Sequence, residues 1–229
     1  MIADPRAVAL RWPDVRVRML AELALVVTEA PWALSRARLA MLTEDEILHA
    51  VTLSAYFGHL NRIADAVAVP LDYTVRHQPP VAESATPPWL AAPTATSCVP
   101  SLDLARRPAS AAALAAWHAH VFEREDGRLT GAQRSMIARR VGELLGHTSE
   151  PSIDVARASS LDHPARSIER SLVTLADQIT LAPWQLDDAS FATLRAEGFD
   201  DAALFEVCVV ASTAGVQSRS LVALSALDR

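Results

Sequence analysis

The stretch RRVGELLGHTSEPSID, residues 139–154, sets an imidazole and two carboxylates at a spacing that could do chemistry. His147, Glu150 and Asp154 stand three and four residues apart. On one continuous helix they would share a face, where nitrogen and oxygen ligands could hold a metal or act as general acid and base. Pro151 points the other way. It fits best in the first turn of a helix with Ser149 as cap, which leaves His147 outside that helix. Glu150 then has a structural reason to be present, because the positive end of the helix dipole favours a carboxylate. The capping reading is preferred, and no metal or other cofactor is expected.

A second polar group, Tyr56, His59, Asn61 and Arg62, interrupts the otherwise apolar segment EDEILHAVTLSAYFGHLNRIADAVAV. Long polar side chains in a packed core need partners whatever the function. Arg62 is therefore expected to fork onto a carboxylate, such as Asp65 or one across a helix interface. His118 and His120 are two apart, point in different directions on a helix and make no joint site. The two cysteines, Cys98 and Cys208, are too far apart for a C-x-x-C motif and support neither a zinc framework nor a disulfide scaffold. Cys208, inside LFEVCVVAS, reads as a small buried apolar residue, and Cys98 as an incidental thiol in a proline-rich loop.

Composition narrows the classes. A net charge of −6 argues against a nucleic-acid binder, which needs a concentrated basic footprint. All 21 basic residues are arginine, which removes Schiff-base chemistry and a Walker-type phosphate lysine. No run of about 18 uninterrupted apolar residues exists, so no membrane span is expected. The N-terminal apolar run carries charges and is unlike a secretory signal, which makes a cytoplasmic protein the expectation.

The elements that must position these groups are helical. RVRMLAELALVVTEA, EDEILHAVTLSAYFGHLNRIADAVAV and RSLVTLADQITLA all carry apolar residues at spacings of three and four. Thr43 and Thr130, each after a leucine, are expected helix caps. Between Tyr73 and Leu102 the pattern stops, in a segment holding six of the 14 prolines. The chain thus divides into an N-terminal helical part, 1–73, a linker, 74–102, and a second helical part, 103–229.

The two helical parts are related. LALVVTEAPWAL, residues 23–34, and LADQITLAPWQL, residues 175–186, agree at Leu, Ala, Thr, Ala, Pro, Trp and Leu. Each continues into a longer helix in which Gly58 matches Gly215, Arg62 matches Arg219 and Ala66 matches Ala223. The change in offset falls in the connection, where loops absorb length cheaply. An internal duplication is inferred.

These duplicated Pro-Trp and Asn-Arg segments resemble the C-terminal half of peroxidase-related proteins of the alkylhydroperoxidase D and carboxymuconolactone decarboxylase superfamily. Residues 129–154 resemble the superfamily's catalytic helix pair. The resemblance implies an all-α multi-helix bundle with two pseudo-symmetric repeats, and a homo-oligomer with a dimer favoured. Active peroxidatic members carry a glutamate, then C-x-x-C-x-x-x-H beginning twelve residues later. Superposed here, the glutamate falls on Ser135, the cysteines on His147 and Glu150, and the histidine on Asp154. Peroxide reduction by that route needs a sulfur to attack and a second to resolve the sulfenic acid. A protein without thiol peroxidase activity is therefore expected. The other expectation is a cysteine-independent decarboxylase, lyase or isomerase. It would use His59, His147, Glu150 or Asp154 for acid–base work and Arg62 to hold a small acidic substrate.

Overall fold

A computed structural model describes residues 13–69, 96–97, 106–148 and 167–228. The protein is all-α in character. Among the described residues there are seven α-helices: α1 (Val15–Glu29), α2 (Glu44–Ala66), α3 (Pro108–Phe122), α4 (Gly131–Leu144), α5 (Ser167–Leu181), α6 (Asp188–Ala196) and α7 (Asp201–Ala226). The only extended pairing among them joins β1 (Thr96–Ser97) in parallel to β2 (His147–Thr148). The rest of the proline-rich segment 74–102, with Cys98, lies outside the described residues.

The helix starts follow from short polar side chains. Thr43 Oγ1 accepts the Glu46 N–H at 3.3 Å while the Glu46 carboxylate accepts the Thr43 N–H at 2.8 Å, a reciprocal cap on α2. Thr130 and Gln133 repeat it on α4. Asp14 and Asp200 cap α1 and α7. Each satisfies backbone donors that have no partner inside the helix.

The duplicated stretches adopt the same local structure. α1 and α5 each end at an alanine with φ near −148°, Ala30 and Ala182, followed by a single 3-10 turn, Pro31–Ala33 and Pro183–Gln185. Proline has no N–H and cannot continue the hydrogen-bond ladder, so both helices stop at the same place for the same reason.

α7 is the central element. Apart from its N-terminal residues up to Phe205 and from Gln217 it is enclosed on nearly every side, as a helix apolar around most of its circumference must be. By length and composition α7 could cross a membrane, and 78% of its most apolar window is covered by the rest of the protein. Its N-terminal half, through Leu204, Val207, Cys208, Val210, Ala211 and Ala214, packs into a core with α4, α5 and α6. Its C-terminal half, through Val216, Ala223 and Leu224, packs into a second core with Leu23, Val27, Leu48 and Val51 of α1 and α2. Trp117 of α3 touches both cores.

Sharing α7 makes the two helical parts interdependent. Fragments 1–78 and 103–229, expressed separately, should each bind a hydrophobic dye and lose cooperative melting. Mixing them should restore a single transition. Cooperative melting by the isolated 103–229 fragment would contradict this.

Candidate functional site

The two duplicated arginines meet at the centre of the protein. Pro31 and Pro183 stop α1 and α5, so carbonyls of the last turn, such as those of Thr28 and Thr180, need donors from outside the helix. Arg219, on α7, donates through Nε to the Thr28 carbonyl at 3.1 Å and through Nη2 to the Thr180 carbonyl at 3.2 Å. Arg62, on α2, reaches the same Thr180 carbonyl with Nε and Nη2, both at a long 3.4 Å, and its own Gly58 carbonyl with Nη1 at 2.8 Å. Arg62 thus reaches from α2 to the end of α5, and Arg219 reaches from α7 to the ends of both α1 and α5. A cation is also the charge that the negative end of a helix dipole favours.

This corrects the expected carboxylate fork. Asp65 is near enough for its charge to act on Arg62, yet the hydrogen bonds of both guanidiniums among the described residues go to backbone carbonyls. Arg62 and Arg219 keep 8% and 3% of their surface. Burial lowers both pKa values, Arg62 to about 10 and Arg219 well below its ordinary value, with the neighbouring Arg62 charge adding to the fall at Arg219. Two like charges at such range repel by a few kcal/mol even at an effective dielectric near 20, so the carbonyl contacts must be kept.

The glycines explain the spacing. A Cβ on Gly58 would stand 2.9 Å from Arg62 Nη1, and one on Gly215 would stand 2.7 Å from Arg219 Nη1. Each guanidinium folds back one turn over its own helix, and only glycine leaves the room. The motif is Gly-x-x-x-Arg, although the sequence pointed to the Asn-Arg pair. Asn61, the chain's single asparagine, is exposed.

His59 lies on α2 one turn before Arg62's outer end, with 7% of its surface exposed. Its ring meets Trp117 edge to face at 4.8 Å between centroids, and Nδ1 is buried without a partner. Desolvation, then the Arg62 charge, lower its pKa to about 4 against a favourable hydrogen bond to the Ser212 backbone. This is a neutral core imidazole.

His147 stands just beyond α4. Gly146, at φ 73°, ends the helix in a left-handed turn that L side chains avoid, and the chain continues as β2. A single helical face beginning at His147 is therefore excluded. Glu150 and Asp154 lie outside the described residues. His147 Nδ1 is 3.1 Å from Ser218 Oγ on α7, and burial lowers its pKa. A histidine–serine contact is the start of a nucleophile–base pair. Ser218, however, keeps 3% of its surface, and a nucleophile needs a substrate against it. Gly142 makes room here too, since a Cβ would meet the His147 carbonyl at 3.0 Å. Ser218 stands where the first helical part has Asn61, a match visible in the sequence, whereas its contact with His147 carries no sequence signal.

Cys208 is 2% exposed, and burial pushes its thiol up to about 12. Thiolate is the reactive form, so this sulfur is inert at neutral pH. Among the described residues no three His, Cys, Asp or Glu side chains cluster closely enough to hold a metal ion. His118 leans on Phe122 and His120 is exposed, so they form no pair.

No family model, curated protein or solved structure matches the chain.

Two measurements follow. Gly215→Ala should cost about 1–3 kcal/mol of unfolding free energy in urea, because Arg219 is held at both ends and cannot yield. Gly58→Ala should cost less, because the Arg62 contacts to Thr180 are longer. For His59, the unfolded imidazole binds a proton near pH 6.5 while the folded one resists until about 4. Stability should then fall as pH drops through that window, by up to roughly 3 kcal/mol. His59→Phe should flatten that part of the urea midpoint-versus-pH curve; an unchanged slope would assign the acid sensitivity elsewhere.

Proposed function

We propose that the chain is a degenerate relative of the alkylhydroperoxidase D and carboxymuconolactone decarboxylase superfamily, built on an internal duplication, with no thiol peroxidase activity. The observation that carries the negative half is His147. It occupies the place that the resemblance gives to the first redox cysteine, and its ring is bonded to Ser218 against the central helix. An imidazole cannot be oxidised to a sulfenic acid and resolved by a second thiol. The buried, high-pKa Cys208 offers no substitute. The duplication draws support from the matched helix ends at Ala30 and Ala182 and from the exchange of arginines between the repeats.

In this reading the segment around 129–148 serves as packing. Ile137 and Val141 of α4 are fully buried against α7. Arg134, 2% exposed, bonds Glu206 of α7 at 2.9 Å and the Arg124 carbonyl at 2.5 Å. Glu206 in turn accepts the Arg128 N–H at 2.6 Å, which fastens the loop before α4 to the central helix.

Peroxide turnover with a dithiol reductant tests the proposal. The rate should equal that of buffer, and Cys98→Ser and Cys208→Ser should not change it. Turnover that either substitution abolishes would refute it.

A further inference from the structure

Arg62 faces a cavity of about 500 Å³ between α1, α2 and the turn after α5. Gly58, over which Nη1 lies, also lines it, as do Thr28, Ser54, Asn61 and Asp65. A guanidinium carries five N–H donors in a fixed fork. Three of Arg62's are engaged, by Gly58 and Thr180, the latter through long contacts, and two remain.

The charge balance around this fork is incomplete. Arg62 and Arg219 share the Thr180 carbonyl, and the described residues give them only carbonyl acceptors. A helix end supplies about half an elementary charge, so two such ends do not match two full cations. Asp65 is the one carboxylate on the cavity wall, and it is exposed and makes no hydrogen bond to the fork.

The rest of the wall is apolar and uncovered. Leu53, Phe57 and Trp184 are 41%, 56% and 70% exposed, and all three line the cavity. A buried cation at one side and aromatic surface at the other suit an amphipathic anion.

We propose that this cavity binds a small organic carboxylate, its carboxylate on the free N–H groups of Arg62 beside Asn61 and its apolar part on Phe57 and Trp184. The site is independent of the peroxidase question, since it uses no residue of 129–154. Occupation supplies the negative charge that the two arginines lack and covers the exposed rings.

Titration calorimetry with benzoate tests this on the full chain, with benzyl alcohol as the neutral control and inorganic phosphate as competitor. Benzoate should bind one site per chain, and benzyl alcohol at least about ten-fold more weakly, since a charge-assisted pair is lost. Asp65→Asn removes a competing carboxylate and should tighten benzoate binding. Asn61→Asp adds one and should weaken it by about ten-fold or more. Both positions are exposed, and both variants should melt as the wild type does. Equal affinity for benzoate and benzyl alcohol, or no saturable benzoate binding by either the wild type or Asp65→Asn, would overturn the proposal. Insensitivity to both substitutions would do the same. Phosphate displacing benzoate at equal affinity would reduce the site to one for free anions and overturn the organic-carboxylate assignment.

Discussion

The structure is organised by a shortage of donors at two helix ends. Pro31 and Pro183, both buried, cannot give an N–H to the last turn of α1 or α5. An unsatisfied buried carbonyl costs on the order of 1–3 kcal/mol. Arg219 serves the Thr28 end, and Arg62 and Arg219 together serve the Thr180 end. The Thr28 end thus takes its donor from α7, across the chain, and the Thr180 end takes one from α2 and one from α7, so the two helical parts are held together by polar geometry as well as by apolar packing.

Several features are consequences of that exchange. A guanidinium lying back on its helix needs Gly58 and Gly215 beneath it. Two buried guanidiniums must not drift apart from their carbonyls, so α2 and α7 have to cross close to the ends of α1 and α5. α7 becomes the element that both cores use, with Leu204 and Val207 in one and Val216 and Leu224 in the other. Its high apolar content follows from being covered on nearly every side.

The same burial decides the chemistry of the histidines. An imidazole taken from water loses part of its affinity for a proton, and both His59 and His147 move in that direction. A general base works best with a pKa near the working pH and a proton within reach. His59, turned against Trp117, and His147, turned against Ser218, are positioned as packing partners. Arg62 differs from both because it lines a cavity.

Much of this was legible in the amino-acid order. Spacings of three and four marked the long helices, and Thr43 and Thr130 marked two starts, because capping acts within a few residues; the repeated Ala-Pro-Trp marked two matching stretches, and the structure made them two equivalent helix ends. Cys208 was recognisable as a core residue by its apolar flanks. The partners were not legible. Arg62 bonds Thr180, 118 positions away, and Arg219 bonds Thr28, 191 away, through backbone carbonyls that every residue possesses and no sequence pattern marks. Ser218 was legible as the counterpart of Asn61, but its contact with His147, 71 positions away, was not. Local sterics and hydrogen bonding determined the helices and their ends; long-range packing alone decided which charges share a carbonyl, which rings lose water and which guanidinium edge stays free.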